Sequence, residues 1–195
     1  MRTSLTLLAL TLSLTLVAGP RRQPAPQTVH THLGIGYTLR SLCGIALTGG
    51  GSYKQHEAEL QLTIGLQSSA QVHWYDDTGV WLSTMTYKQH SIALRYGYVV
   101  SAWRIATLTP QASLAIHMLT EQGGEGSKSY AASAMASTAA IGLRVAVPVS
   151  PNVNITLTPH YAITLSQDAR FRGASRTAGF SAGGFGLTVG AMIDM

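Results

Sequence analysis

The stretch that decides the fold reads EAELQLTIGLQ from Glu57 to Gln67. Every second residue from Ala58 to Leu66 is apolar, and the residues between them are acidic, amide, hydroxyl or glycine. Successive side chains of a β-strand point to opposite faces of the sheet. The spacing therefore predicts a strand with one apolar and one polar face.

The same period of two recurs along the chain. Six further series have it: Leu33 to Leu39, Ile92 to Val100, Leu108 to Met118, Ile141 to Val147, Ile155 to Ile163 and Phe185 to Ile193. Counting back from the C-terminus, we predict strands at 178–194, 153–165, 130–147, 104–119, 87–100, 55–67, 43–51 and 30–39. An even number of antiparallel strands predicts an all-β, up-and-down transmembrane β-barrel with both termini on the periplasmic side.

Short and long connectors alternate between these strands. Long polar stretches occupy Ser68 to Thr86, Thr120 to Ser129 and Ser166 to Thr177, whereas short ones lie around Ser101 to Trp103 and at Pro148 to Asn152. Transmembrane barrels have tight periplasmic turns at one rim and longer outer loops at the other. We therefore expect the three long stretches to be outward-facing loops.

The composition also favours a membrane over water. The chain is 46% hydrophobic and only 11% charged, against about 25% charged residues in soluble domains. Tyrosines such as Tyr37, Tyr96 and Tyr161 lie toward the ends of the apolar series, as in interfacial girdles. A soluble periplasmic β-protein that binds an apolar ligand would also alternate, and it is the alternative fold.

The N-terminus has the layout of a secretory signal peptide. Arg2 precedes an apolar run from Leu5 to Ala18, which a Gly-Pro pair and a polar segment follow. We assign residues 1–22 to the signal peptide and a short polar segment, and residues 28–195 to an outer-membrane barrel. Removing the three arginines of the leader lowers the formal charge from +5 to +2, which gives a nucleic-acid partner little support.

The polar faces place several ionisable residues inside the predicted barrel. They are Glu57, Glu59, Arg95, Arg144, His117 and His160. An eight-stranded barrel is just wide enough for side chains to fill it, and unpaired charges in its lumen are costly. We expect this polar cluster to plug the lumen, which indicates a structural or surface-interaction role. A narrow channel or small-solute transport barrel is the alternative.

Catalysis and metal binding have weak support. His30 and His32 share one face of the first strand, but two ligands do not make a metal site, and we interpret them as polar residues at the rim. His73 with Asp76 and Asp77 is the nearest approach to a hydrolase site and has no nucleophile in a recognisable context. We expect no enzyme activity, no metal and no cofactor.

The most basic outer segment is Ser166 to Thr177, which carries Arg170, Arg172 and Arg176. Guanidinium groups pair well with phosphate, so we hypothesise that these arginines contact lipopolysaccharide. The expected partners are thus outer-membrane lipid, lipopolysaccharide and, during insertion, the barrel-assembly machinery.

Several short motifs resemble a known family. They include HEAE from His56, VHWY from Val72, LRYGY from Leu94, PHY from Pro159 and GFGLTVG from Gly184. The sequence is similar there to small porin-like outer-membrane barrels found C-terminal to carboxypeptidase-regulatory-like or PEGA domains in bacterial proteins. The resemblance implies an integral protein of the bacterial cell outer membrane and brings no catalytic residues with it.

Overall fold

The computed structural model describes residues 29–40, 42–76, 79–103, 105–125, 128–170 and 180–195. The predicted signal peptide lies outside them. The strands are β1 (Val29–Leu39), β2 (Gly44–Tyr53), β3 (His56–Gly65), β4 (Ser68–Asp76), β5 (Gly79–Tyr98), β6 (Val100–Trp103), β7 (Ala106–Glu125), β8 (Lys128–Ser150), β9 (Val153–Gln167) and β10 (Gly184–Asp194). Among the described residues, no helix is long and apolar enough to cross a membrane.

The strands close into one antiparallel barrel. The hydrogen-bonded order is β4-β5-β3-β2-β1-β10-β9-β8-β7-β6, and a further pairing of β5 with β7 joins the two edges. β3 and β4 pair with the same side of β5, and β5 and β6 pair with the same side of β7, so each of these two pairs counts as one continuous strand of the barrel. The ten strands therefore form a barrel of eight strands, which are called its walls here. The predicted fold class is confirmed, and the pairing of β5 with β7 closes the sheet into a barrel.

The apolar faces point outward and the polar faces point inward. Large apolar side chains are exposed on every wall, with Leu94 61%, Ile141 69% and Phe185 67% exposed. The buried polar residues lie at alternate positions, such as Glu57, Glu59 and Gln61 of β3. A soluble barrel would put its apolar faces inside, so the soluble alternative does not fit this structure.

The exposed apolar band has the height of a membrane interior. On β9 the outward apolar side chains run from Ile155 to Leu165. Ten residue steps of about 3.3 Å in a strand tilted by about 40° rise about 25 Å, which matches the band of outer-membrane barrels. At one edge of the band His56 Nδ1 lies 2.6 Å from the Tyr96 hydroxyl, and its ring packs against Tyr98.

Two of the predicted loops are wrong, because strands continue through them. Most of Ser68 to Thr86 forms β4 and the first part of β5, which pair from Ser68 with Tyr87 to Asp76 with Gly79. The segment Thr120 to Ser129 likewise belongs to β7 and β8, which stay paired up to Glu125 and Lys128. Valine and aromatic residues in the first hairpin favour strands, and continued pairing satisfies the backbone groups beyond the apolar band.

The two ends of the barrel differ in what they carry. One end, called here the termini end, carries Val29, the turns at 54–55 and 151–152, and Met195. The opposite loop end carries residues 40–43 and the two extended hairpins. The last strand begins at Gly184 and not at the predicted residue 178, because Gly184 has a φ of 106° and residues 180–183 turn toward the lumen. Glycine adopts that φ without steric cost.

Candidate functional site

A charged layer crosses the lumen near the termini end. Arg144 of β8 donates from Nη1 to Glu59 Oε1 and from Nη2 to Glu57 Oε2. His32 Nε2 lies 3.0 Å from Glu59 Oε1, and Gln111 Nε2 donates to Glu59 Oε2 over 3.4 Å. Three of these groups, Glu59, His32 and Arg144, are no more than 5% exposed. The layer is a buried, hydrogen-bonded ion cluster that joins opposite walls of the barrel.

The local sequence makes room for this layer. Glu59 pairs across the sheet with Gly50, and Gly50 pairs with His32. A Cβ atom at Gly50 would lie 2.9 Å from both Glu59 Cγ and His32 Nε2. Glycine at this position therefore lets the carboxylate and the imidazole meet over the bare backbone of β2.

Arg95 separates two small cavities. The larger, of about 60 Å³, lies on the loop side and is lined by Arg40, Gln61, Gln89, His117 and His160 among others. The smaller, of about 30 Å³, lies on the termini side beside Glu59 and Arg144. A cavity needs roughly 10–15 Å³ to hold one water, so each has room for only a few waters. Among the described residues, side chains therefore fill most of the lumen around these two cavities.

Histidines and amides line the larger cavity. Gln89 Nε2 donates to His117 Nδ1 over 3.1 Å, and His117 Nε2 donates to Thr138 Oγ1 over 2.9 Å. His160 Nδ1 donates to the carbonyl of Thr158 over 3.3 Å. The His117 ring thus has a hydrogen-bond partner at each nitrogen, and the His160 ring has one at Nδ1.

An apolar cap closes the loop end of the lumen. It consists of Leu42, Met85, Tyr87, Leu119, Ala134, Ala136, Phe180 and Ala182. The rings of Tyr87 and Phe180 meet edge to face at 4.6 Å between centroids. Arg40, which lies outside the strands, donates from Nη2 to the Ala182 carbonyl. Burial lowers the pKa of its guanidinium, and the hydrogen bond ties residues 180–183 to the first loop.

The structure places the six predicted lumen residues inward, and it divides them between two levels. Glu57, Glu59 and Arg144 meet in the charged layer, and the charge of Arg95 acts on Glu59. His117 and His160 lie apart from them, around the larger cavity. The functional role of this cluster stays a prediction.

The sequence analysis missed three members of the lumen. The interpretation of His32 as a rim residue is wrong, because His32 is 3% exposed and bonded to Glu59. Gln89 and Arg40 were not singled out either. The alternation of each strand could have predicted two of them, because His32 and Gln89 lie at positions whose side chains point inward. No pattern predicts that Arg40, outside the strands, reaches the lumen.

The other predicted sites are partly described. Arg170 is exposed, and its backbone N–H donates to Asp168 Oδ1 over 3.0 Å. Arg172 and Arg176 lie outside the described residues, as does Asp77 of the weak hydrolase motif. In the part of the chain that the structure describes, no three His, Cys, Asp or Glu side chains are grouped to hold a metal ion.

Closed walls, an apolar exterior and a filled polar lumen are the features of a small outer-membrane β-barrel. No family profile and no curated protein matches the sequence. Among solved structures, the chain is similar to a major outer membrane protein from Thermus thermophilus, with 12% identity, a TM-score of 0.67, and coverage of 86% of this chain and 100% of that chain.

Two further solved structures are similar to the chain at lower TM-scores. The N-terminal β-barrel domain of Pseudomonas aeruginosa OprF is 9% identical, with a TM-score of 0.46 and coverage of 85% of this chain and 97% of that one. The Yersinia pestis attachment invasion locus protein Ail is 10% identical, with a TM-score of 0.45 and coverage of 86% and 96%. At these identities the comparisons bear on the fold alone, and the similarity to the Thermus protein supports it.

Proposed function

We propose that this chain is an integral protein of the bacterial outer membrane with a structural or surface-interaction role and no transport or catalytic activity. The observation that carries the proposal is a continuous apolar exterior around a lumen closed at two levels. The ion cluster of Glu57, Glu59 and Arg144 blocks one level and the apolar cap blocks the other.

The filled lumen argues against the channel alternative. A conducting barrel needs a continuous open path, whereas the Arg95 side chain lies between the two cavities and the charged layer fills the lumen beside the smaller one. Opening that path would separate hydrogen-bonded charges in a narrow space, which is expensive. A single closed state is therefore the favoured one.

The experiment that tests the role has two parts. Membranes of the native host are extracted with detergent, and boiled and unboiled samples are compared by gel electrophoresis. We expect release only by detergent and a mobility shift on boiling. The purified barrel is then added to planar lipid bilayers, where we expect no conductance steps. Regular steps would replace the structural role with the channel, and recovery from the soluble fraction would overturn the membrane location.

The surface-interaction part of the proposal concerns the loop end. Arg170 is exposed beyond β9 and shares its segment with Arg172 and Arg176. Phosphate groups of lipopolysaccharide would pair with such a cluster. Replacing all three arginines with glutamine should weaken binding of the barrel to lipopolysaccharide micelles at least tenfold, with Lys54→Gln at the opposite end as the control. Unchanged binding would rule out this contact.

A further inference from the structure

The larger cavity has an unbalanced charge. Arg40 and Arg95 both line it, and none of its lining residues is a carboxylate. The two guanidinium groups are close enough to His160 for their charges to act on that ring. The cavity is therefore a small, buried and positively charged space in the middle of the barrel.

Neither arginine is bonded to a carboxylate. The nearest acid to Arg95 is Glu59, whose oxygens already accept from Arg144, His32 and Gln111. Within the described residues, Arg95 has Glu59 as an electrostatic partner but no hydrogen-bond acceptor. A half-buried guanidinium that faces a narrow lumen without a hydrogen-bonded carboxylate favours an anion as a further partner.

Arg40, on the other side of the cavity, also lacks a carboxylate partner among the described residues. Its Nη2 donates to the neutral carbonyl of Ala182, and its Nε is buried without a partner among the described residues. The side-chain oxygens of Gln61 and Gln89 are also buried and unpaired there. Each residue donates its own amide N–H elsewhere, Gln61 to Thr63 and Gln89 to His117. Such oxygens can accept from a water that also donates to an anion.

We propose that this cavity binds one small inorganic anion, of the size of chloride, between Arg40 and Arg95. At about 60 Å³ the space has room for a monatomic anion together with a few waters. A cation is excluded because it would meet two positive charges and no carboxylate. The anion completes the pairing of charges in the lumen and stabilises the closed barrel.

The first test measures the thermal stability of the refolded barrel in detergent. The unboiled-to-boiled mobility shift is followed against temperature in sodium chloride, sodium bromide or sodium gluconate at equal ionic strength. We expect chloride and bromide to raise the midpoint saturably by about 5 °C over gluconate, which is too large to enter. The variants Arg40→Gln and Arg95→Gln should lose this difference, whereas Lys54→Gln, at an exposed lysine of the termini end, should keep it.

The second test does not depend on the folding of any variant. Crystals of the unaltered protein are grown in bromide, and anomalous scattering locates the ion. A peak between the guanidinium groups of Arg40 and Arg95 supports the proposal. Its absence from the cavity overturns it, and so does a chloride effect on stability that persists in both cavity variants.

Discussion

The charged layer near the termini end predicts that the variant Arg144→Met destabilises the barrel. Methionine is shorter than arginine but has a comparable volume, so the change removes the charge and the donors while keeping most of the packing. Arg144 donates to both Glu57 and Glu59, and a hydrogen bond to a charged partner contributes about 1.5–3 kcal/mol. Two carboxylates would remain buried without their guanidinium. We expect the free energy of unfolding to fall by about 3–5 kcal/mol.

A double-mutant cycle with Glu57→Gln isolates the pair. Glu57 has Arg144 as its hydrogen-bond partner, whereas Glu59 keeps His32 and Gln111 when Arg144 is lost. The double variant should therefore lose about 2 kcal/mol less than the sum of the two single variants. This coupling would be absent if the two side chains merely faced each other without interacting.

The assay is urea unfolding of the barrel in lipid vesicles, followed by tryptophan fluorescence and by the mobility shift on boiling. The matched control is Arg170→Met, which removes an exposed arginine and should change stability by less than about 0.5 kcal/mol. If Arg144→Met also costs less than about 1 kcal/mol, the charged layer does not hold the barrel closed, and the structural argument for a sealed lumen fails.

Three further predictions follow from the walls and the cap. Gly50→Ala should lower the free energy of unfolding by about 1–3 kcal/mol, because its Cβ would clash with the Ala58 backbone oxygen and lie 2.9 Å from Glu59 Cγ. Gly49→Ala, whose Cβ would meet only the flexible end of Leu33, should cost less than about 1 kcal/mol in the same urea assay. Leu94→Arg should cost about 2–4 kcal/mol by placing a charge in the apolar band, and a neutral outcome would mean that this wall does not face lipid. Tyr87→Ala should lower the free energy of unfolding by about 3–5 kcal/mol. It should still give no conductance, because the charged layer below the cap remains. Conductance steps would show that the cap alone closes the lumen.

The alternation in the sequence was sufficient to predict the walls and their faces. Period two is a local property of a strand, so Leu60 and Glu59 could be assigned to opposite faces without knowing any neighbour. Even the glycine-rich second strand, predicted at 43–51 and observed as Gly44–Tyr53, lies where the spacing placed it. The glycine at position 50 is explained by the packing of His32 and Glu59 over it, which no local pattern contains.

The pairing inside the lumen could not be predicted in the same way. His32 and Glu59 are separated by 27 residues, and Arg144 and Glu59 by 85. Which inward residues meet depends on the stagger between strands and on the tilt set by closure. A shift of two residues in one strand keeps the same inward face and changes every partner. The sequence therefore predicts a polar lumen but not its layers.

The side chains of the lumen, and not the outward apolar ones, determine which strand register this barrel adopts. Side chains such as Leu94 and Ile141 contact lipid in the folded state, and they gain little from one neighbouring strand over another because lipid tails are equally apolar. The correct register differs from the others in the lumen side chains that it brings into contact. Only the observed stagger places Arg144 against both Glu57 and Glu59 and leaves Gly50 beneath His32. A misregistered barrel would bury the same charges without partners, which costs several kcal/mol. On this argument, variants that neutralise the lumen should close less uniformly even where they are not less stable, and native gels of refolded Arg144→Met should show several folded bands in place of one.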